Sequence, residues 1–265
     1  MKLCDKKLFL LDMDGTLYLD NDLFDGTLDF LNEVRKNGGR YLFVTNNSSK
    51  SVSAYVDKLN KLGIVACEND FFTSTDATIL YIQDKFQGRK FYSMGTKSFT
   101  DQLKSAGIDV VTEYQDDINA IVISNDQELN FSKLDAACRL LKNDIPYIAT
   151  NPDWVCPTAY GYVPDCGSFA WMIEKATGKS PYFIGKPRPE MLTLSMLKFG
   201  YTPEESVMIG DRVYTDIASG YNAGIDTIFV LSGEGTVKDV ESSNTKPTYI
   251  MSNIREVYEA IKKEV

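Results

Sequence analysis

The 265-residue sequence contains no histidine. Without an imidazole, the chain cannot use Ser-His-Asp or Cys-His catalysis, phosphohistidine chemistry or histidine-ligated zinc. Carboxylates, lysines and a metal ion held by oxygen atoms remain as candidate chemical groups. The search for a functional site therefore begins with the acidic residues.

Cysteines are few, and their spacing shows no motif for a disulfide or a metal site. The five thiols are odd in number and form no C-x-x-C motif; they are Cys4, Cys67, Cys138, Cys156 and Cys166. Reduced thiols of a cytoplasmic protein are the simple interpretation. Cys166, which precedes Gly167 ahead of a helical pattern, is a minor candidate nucleophile, because no histidine can activate it.

Long apolar runs and basic tracts are also missing. The net charge is −9, which argues against a nucleic-acid polymer as partner. No segment approaches the eighteen or so apolar residues of a membrane span, and the run Leu8 to Leu11 is too short for a signal peptide. We expect a cytoplasmic protein with a small-molecule substrate and no membrane partner. A homo-oligomer is left open.

The most informative feature is an apolar run that ends in two acids. Leu8 to Leu11 is typical of a strand buried on both faces of a parallel sheet, and Asp12 and Asp14 follow it directly. Ligands bind at this edge of open α/β sheets. Two such acids need a cation or a shared proton when they lie close together. Gly15 permits a sharp turn, and the Thr16 hydroxyl is predicted to tie it.

A solvated Asp-x-Asp-Gly turn is the alternative, because short motifs give false positives. A calcium loop does not fit. The twelve-residue acidic pattern is missing, and a strand precedes the motif where a calcium loop requires a helix.

Apolar runs alternate with helical periodicity along most of the chain. Helices are predicted near Gly26 to Lys36 and Ser51 to Leu62, and the remaining strands near Arg40 to Thr45, Lys90 to Ser93, Ala120 to Ser124, Tyr147 to Thr150, Val207 to Gly210 and Thr227 to Leu231. Strands separated by helices predict an α/β fold with a parallel sheet.

Three further polar groups follow predicted strands. They are Thr45-Asn46-Asn47, Lys186 after Tyr182 to Ile184, and Asp211 with Asp216. If the strands are parallel neighbours, these residues share one edge with Asp12. Each has an ordinary alternative, since Thr45, Asp211 and Asp216 can cap helices and Lys186 can be a solvated loop lysine. Their joint order of acid pair, threonine, lysine and acid pair favours a common site.

Together these motifs resemble the haloacid dehalogenase superfamily, within its NagD-like, p-nitrophenyl-phosphatase-type branch with a type IIA cap. The resemblance covers nearly the whole chain and rests on the strings DMDGT, VTNNSS, ATNPD, ATGKSPYFIGKPRPEM and IGDRVYTDIASGYNAGIDT. It implies a Rossmann-like three-layer core from residues 1–76 and 181–265, and an inserted α/β cap from residues 77–180 that selects substrate. The branch usually has a glycine where this chain has Asp165, so the substrate contacts of that loop are open.

The resemblance also implies a magnesium-dependent phosphatase of small phosphate monoesters, of the nucleotide or sugar phosphate class. Asp12 would be the nucleophile that forms an aspartyl phosphate, and Asp14 the general acid and base. Mg²⁺ would be held by Asp12, Asp211 and the main-chain carbonyl of Asp14, with Asp216 orienting a water on the metal. Thr45, Asn46 and Lys186 would bind the phosphate.

Roles in the cap are less defined. Asn151 and Asp153 are candidates for substrate contact, but Asn-Pro-Asp is equally a turn sequence. Trp154, Tyr160 and Tyr162 are interpreted as cap core rather than as a platform for an aromatic leaving group.

Other functions remain as alternatives. A haloacid-dehalogenase-type C–halogen hydrolase would not need the proton relay and metal that Asp14 and Asp211 suggest. A receiver-like phosphoacceptor switch also uses Asp, Thr and Lys around magnesium, but such domains are about half this length. An idle Rossmann-like binding module would have no physical reason to keep a repulsive acid cluster.

Overall fold

The computed structural model describes residues 2–48, 52–158 and 160–264. The strands are β1 (Leu8–Leu11), β2 (Tyr18–Leu19), β3 (Asp22–Leu23), β4 (Arg40–Thr45), β5 (Phe71–Thr73), β6 (Phe91–Met94), β7 (Val110–Val111), β8 (Ala120–Ile123), β9 (Tyr147–Ala149), β10 (Val155–Thr158), β11 (Gly161–Pro164), β12 (Tyr182–Phe183), β13 (Ser206–Gly210), β14 (Asp226–Val230) and β15 (Tyr249–Met251).

The helices are α1 (Thr27–Lys36), α2 (Val52–Lys61), α3 (Ser74–Lys85), α4 (Lys97–Ser105), α5 (Phe131–Leu140), α6 (Cys166–Thr177), α7 (Glu190–Phe199), α8 (Ala218–Asn222), α9 (Val237–Ser242) and α10 (Ile254–Glu264). Short 3₁₀ turns at Leu3–Asp5 and Glu68–Asp70 and a π-helical turn at Val213–Ile217 complete the helical segments of the described residues.

The described chain divides into two compact units. The first comprises residues 2–45, 52–72 and 186–264, and the second comprises residues 46–48, 73–158 and 160–185. The sequence had placed the boundaries after residues 76 and 180. The second unit extends further on both sides, because α3 begins at Ser74 and β12 pairs with β9 of the second unit's sheet.

The first unit is built on a six-stranded sheet in the order β15-β14-β13-β1-β4-β5. The pairs from β15 to β4 are parallel, with Leu11 opposite both Ile209 and Phe43. Because β13, β1 and β4 are parallel neighbours, their carboxyl ends meet at one edge, as the motif order predicted. This edge carries Asp12, Thr45 and Asp211.

Helices cover the sheet of the first unit. One face packs against α1 and α10 in a core that includes Phe9, Phe30, Phe43, Val34, Ile209, Val257 and Ile261. A smaller apolar cluster joins Phe229 of β14 to Val213, Ile217 and Val240. Strand β1 is buried along its whole length, which is why it reads as an unbroken apolar run.

The second unit has its own parallel sheet, in the order β12-β9-β8-β6-β7. Its core packs Tyr92, Ile121 and Ile123 of the sheet against Ala137 and Leu140 of α5 and Phe169 and Ile173 of α6. The antiparallel pair of β10 and β11 lies outside this sheet. The second unit is thus a separate α/β fold inserted between β5 and Lys186.

The α/β class and the strand positions inferred from the sequence are confirmed. Helix α2 begins at Val52 in the described chain, and the predicted start at Ser51 lies outside the described residues. None of the described helices combines the length and the apolar character needed to cross a bilayer.

Candidate active site

Asp12 lies at the first position after β1. Its backbone N–H donates to the carbonyl of Ile209 at 2.9 Å, so the ladder with β13 holds its main chain. The side chain is only partly exposed. A buried strand therefore delivers one carboxylate to the carboxyl edge of the sheet on a fixed backbone.

The turn after Asp12 is closed by the backbone. The N–H groups of Thr16 and Leu17 donate to the carbonyl of Met13 at 3.2 and 2.9 Å. The prediction that the Thr16 hydroxyl ties this turn is wrong, because that hydroxyl is buried without a hydrogen-bond partner among the described residues. Gly15 is required here, since its φ is +84° and a Cβ would lie 2.6 Å from the Asp211 carboxylate.

Lys186 is buried and binds two carboxylates. Its Nζ donates to Asp12 Oδ1 and to Asp216 Oδ1, each at 2.7 Å, and to the carbonyl of Val44 at 3.2 Å. Burial alone would lower the pKa of Lys186, but the two carboxylates outweigh it and raise the pKa. Lys186 is therefore a fixed positive charge beside Asp12.

Lys186 does not follow a strand that is a neighbour of β1, although the sequence had suggested this. The strand before it, β12, belongs to the sheet of the second unit and is not a neighbour of β1. Lys186 is instead the first residue after the return of the chain to the first unit. Lys186 therefore contacts Asp12 and Asp216, as the sequence predicted, but it does not follow a strand of their sheet.

Asp211 follows β13 and is almost completely buried, at 1% exposure. Its Oδ2 accepts the backbone N–H of Glu234 at 2.7 Å, whereas its Oδ1 has no hydrogen-bond partner among the described residues. Burial, followed by the negative charges of Asp12 and Asp216, raises its pKa. An orphaned buried carboxylate oxygen is costly unless a cation or proton occupies the position in front of it.

Asp216 lies on the π-helical turn Val213–Ile217. Its two oxygens accept from Lys186 Nζ at 2.7 Å and from the Arg212 N–H at 3.2 Å. Gly210 is needed beneath it, because a Cβ there would come within 2.3 Å of the Asp216 Cβ. The turn thus directs the buried Asp216 carboxylate toward Lys186. Burial raises the pKa of Asp216.

Three of these acids can hold a metal ion. Asp12, Asp211 and Asp216 can each place one carboxylate oxygen within 4.8 Å of the others. The donors are all oxygen, as Mg²⁺ prefers. The orphaned Asp211 Oδ1 and the repulsion among the three carboxylates fit a divalent cation at this place.

Asp14 is exposed and lies on the rim of the site. Its Oδ2 is 3.9 Å from Lys58 Nζ of α2. Partial burial raises the pKa of Asp14, while Lys58 acts in the opposite direction. A carboxyl group whose pKa is raised holds its proton more readily, as a general acid requires.

Thr45 and Asn46 belong to different units. Thr45 is the last residue of β4, at the same sheet edge as Asp12. Asn46 belongs to the second unit, where its Nδ2 donates to both carboxylate oxygens of Asp153 at 3.2 and 3.1 Å. In this arrangement the Asn46 side chain contacts the cap candidate Asp153, and its phosphate-binding role stays a prediction.

Asn151 shapes the turn that its sequence suggested. It is fully buried, its Nδ2 donates to the Asn46 carbonyl at 2.9 Å, and its Oδ1 accepts the Asp153 N–H at 3.0 Å. These bonds position Asp153, which is only partly buried. Contact of either residue with substrate stays a prediction.

Asp165 caps α6. Its Oδ1 accepts the Cys166 N–H at 2.5 Å, and burial raises its pKa to about 6. Cys166 itself is completely buried, and burial raises the pKa of its thiol to about 12. A thiol in this state is a poor nucleophile, which removes the cysteine alternative.

The interpretation of the cap aromatics as core is wrong. Trp154, Tyr160 and Tyr162 are 58%, 83% and 74% exposed. They lie on or beside the pair β10–β11, which is not part of the five-stranded sheet and therefore cannot bury them in its core. Trp154 packs edge-on against Trp171 of α6 at 6.4 Å between ring centroids.

Two parts of the site were not identified from the sequence. One is Lys58, which is one of two lysines on helix α2. No local sequence signal distinguishes it from Lys61. The other is the loop after β14, where Ser232 donates to the Gly15 carbonyl at 2.8 Å and Glu234 N–H binds Asp211. The two glycines of the Ser-Gly-Glu-Gly string after an apolar strand were an available signal for this loop.

Comparison with known families and proteins decides the classification. Residues 9–109 match the model of the haloacid dehalogenase-like hydrolases, and residues 183–257 match the HAD-hydrolase-like model. The acid sugar phosphatase of Staphylococcus aureus is 34% identical over 257 residues, which cover 97% of this chain and 98% of that protein. The chain belongs to the haloacid dehalogenase-like hydrolase family.

Solved structures of this family agree with the fold. The 4-nitrophenylphosphatase from Thermotoga maritima has a TM-score of 0.90 and 38% identity, with 98% of each chain covered. The glycerol phosphate phosphatase from Mycobacterium tuberculosis, solved in complex with magnesium, has a TM-score of 0.90 and 28% identity, covering 99% of this chain and 80% of that one. The resemblance inferred from the motifs is therefore confirmed, including its phosphatase branch.

Proposed function

We propose that this protein is a magnesium-dependent phosphatase that hydrolyses small phosphate monoesters through a phosphorylated Asp12. The observation that carries the proposal is the buried Lys186, held at 2.7 Å from both Asp12 and Asp216 beside the orphaned oxygen of Asp211. A nucleophilic carboxylate, a fixed cation and a set of oxygen ligands are the groups that phosphoryl transfer needs.

In the first half of the reaction, the Asp12 carboxylate attacks phosphorus. An O–P bond forms to Asp12 and the bond from phosphorus to the ester oxygen breaks. The leaving oxygen takes a proton from Asp14, whose raised pKa favours the protonated form that this step requires. Lys186 neutralises charge on the phosphoryl group, and the Thr45 hydroxyl and backbone N–H groups hold a phosphate oxygen.

In the second half, water attacks the phosphorus of the aspartyl phosphate. Asp14, now a carboxylate, takes a proton from this water, and the bond between phosphorus and Asp12 breaks. The products are inorganic phosphate and free Asp12. Asp14 is protonated again, so the cycle balances.

Asp12, Asp211 and the main-chain carbonyl of Asp14 would hold Mg²⁺, which when bound screens the charge between nucleophile and phosphate. Asp216 would stay bonded to Lys186 and to the Arg212 N–H, and so keep the Lys186 ammonium group beside Asp12.

The names of the relatives support a proposal for the substrate class. The relatives named above are an acid sugar phosphatase, a 4-nitrophenylphosphatase and a glycerol phosphate phosphatase. We propose small polyol or sugar phosphates as substrates of this chain in the cytoplasm, with the second unit as the cap that selects among them. The hydrolase family argues against a receiver-like switch, and the phosphatase names of these relatives argue against a C–halogen hydrolase.

The direct test of the proposed function is a panel of phosphate esters assayed for phosphate release with Mg²⁺. We expect turnover of glycerol phosphate, sugar phosphates and 4-nitrophenyl phosphate. A halogenated acid should not be hydrolysed. Release of halide without release of phosphate would reverse this assignment in favour of the dehalogenase alternative.

Mg²⁺ should also stabilise the folded protein. At one hundred times its Kd, a ligand that binds only the folded state adds about 2.7 kcal/mol, or several degrees in Tm. Asp211→Asn should remove most of this shift, because it replaces the orphaned carboxylate oxygen with a neutral group. Differential scanning calorimetry with and without Mg²⁺ measures both.

Calcium provides the control. Its looser coordination should give a Tm shift but little turnover, because nucleophile and phosphate are no longer held in line. An equal Mg²⁺ shift in the wild type and Asp211→Asn, or full activity in metal-free enzyme supplied with calcium, contradicts the proposed ligands.

Asp153→Asn should change substrate preference without abolishing activity. The substitution removes a charge that the Asn46 amide now holds, and a lost hydrogen bond to substrate is worth about tenfold in discrimination. Relative kcat/KM across the ester panel is the measurement. Asp144→Asn, at a side chain 98% exposed in the same unit, is the matched control. Identical relative preferences in wild type and Asp153→Asn count against selection by this residue.

A further inference from the structure

Asp14 has a well-fixed backbone and an exposed side chain. The Gly15 N–H donates to the Tyr18 carbonyl at 2.8 Å, and Asp14 forms a β-bridge with Tyr18. These bonds determine where the Asp14 Cα lies, but they do not select among the staggered rotamers of its side chain. The carboxyl group is more than half exposed, so packing does not select a rotamer either.

Lys58 is a cation that pairs with this carboxyl group, on which Arg212, Asp12 and Asp20 also act. Its Nζ lies 3.9 Å from Asp14 Oδ2 and 4.1 Å from the centroid of the Tyr18 ring. Tyr18 is 2% exposed, so the ring is a rigid surface against which the ammonium group rests. One cation therefore contacts both ends of the short segment from Asp14 to Tyr18.

The position of Lys58 is itself fixed by helix α2. The next residue, Leu59, is completely buried in the core of the first unit and anchors the helix beside the sheet. Lys61, one turn further on, is exposed. Of these two lysines on one helix, Lys58 is the one that faces the proposed site.

We infer that Lys58 is a positioning residue that holds the Asp14 carboxyl group in the rotamer needed for proton exchange with the leaving group and the attacking water. This inference rests on the proposed phosphatase function. A proton donor must lie within about 3 Å of its acceptor, so the fraction of molecules with Asp14 in one rotamer sets the rate directly.

The expected magnitude is modest. Loss of the bias among three rotamers, for a pair exposed to solvent, lowers the competent fraction by at most about threefold. The loss should appear in kcat with esters whose leaving oxygen needs a proton. In single-turnover measurements of the first step, it should be under about twofold with 4-nitrophenyl phosphate, whose leaving group needs little protonation.

The experiment compares Lys58→Met, Lys58→Arg and Lys61→Met with glycerol phosphate and 4-nitrophenyl phosphate. Methionine keeps most of the length of the apolar side chain but removes the charge. We expect a kcat loss of about threefold with glycerol phosphate for Lys58→Met, little change in KM, recovery in Lys58→Arg, and wild-type behaviour in Lys61→Met. Unfolding midpoints of all variants check the fold.

A double-mutant cycle then links the effect to Asp14. In an Asp14→Asn background, Lys58→Met should cause no further loss with glycerol phosphate, because the group that it positions is gone. Losses that multiply, an equal loss with both substrates in the single-turnover rate of the first step, or no loss in Lys58→Met overturns the inference. A loss confined to substrates with a second anionic group also overturns it, in favour of direct substrate contact. If the wild type hydrolyses no ester, the proposed function fails, whereas a normal wild type with any of these outcomes fails only the role of Lys58.

Discussion

Replacing Asp12 by Asn should reduce phosphate ester turnover by at least about 10⁴-fold, the largest effect expected of a single substitution in this chain. An amide is a poor nucleophile and cannot form the acyl phosphate on which both half-reactions depend. Initial rates of phosphate release with saturating Mg²⁺ measure the loss. Residual turnover within a hundredfold of wild type is incompatible with a covalent Asp12 intermediate.

The fold should survive this substitution. Lys186 keeps its bonds to Asp216 and to the Val44 carbonyl, and removal of one of three neighbouring carboxylates relieves repulsion. Asp22→Asn is a suitable control, since Asp22 is exposed in β3 and is not one of the three clustered acids. Circular dichroism melting of both variants should show native-like transitions, so that a loss of activity is a loss of chemistry.

Replacing Asp14 by Asn should have the second-largest effect, and its size should depend on the substrate. Without a general acid the first step slows for esters with poor leaving groups, such as glycerol phosphate, by about 10²- to 10⁴-fold. It slows much less for 4-nitrophenyl phosphate. Without a general base the second step slows for every substrate alike, because all share the same phosphoenzyme.

Single-turnover rates across a series of leaving groups separate these two effects. The slope of log rate against leaving-group pKa should be steeper for Asp14→Asn than for wild type. Equal slowing for good and poor leaving groups would falsify the acid role of Asp14 and leave it a structural or metal-binding one.

The sequence was sufficient for the parts of the structure where one physical requirement dominates. Strand β1 is buried on both faces, so its residues are continuously apolar and its end is marked by Asp12. The same is true of β13 and Asp211. Parallel neighbours bring such strand ends together, which placed the acids correctly without any knowledge of distances.

Features that depend on tertiary geometry could not be read in this way. Lys186 follows a strand of the other unit, and only the path of the chain brings it to Asp12. Lys58 and Lys61 are equivalent in local sequence, and the helix phase alone separates them. Neither fact leaves a signal within a short window of residues.

The cap aromatics show a different limit. Aromatic residues at alternate positions suit both a buried strand and an exposed hairpin, and burial decides between them. Tyr160 and Tyr162 are exposed because β10 and β11 pair with each other and not with the parallel sheet. Strand partners, which the sequence does not specify, determined this outcome.

The proposed mechanism requires that the phosphoryl group passes through Asp12. Asp14→Asn tests it most directly, because this variant should form the aspartyl phosphate from an activated ester but hydrolyse it slowly. Rapid acid quench after mixing with 4-nitrophenyl phosphate and Mg²⁺, followed by proteolysis and mass spectrometry, should show about one phosphoryl group per chain on the peptide that contains Asp12, and none when Asp12 is also replaced by Asn. Burst release of 4-nitrophenol without any adduct on that peptide, or an adduct on another residue, contradicts the claim.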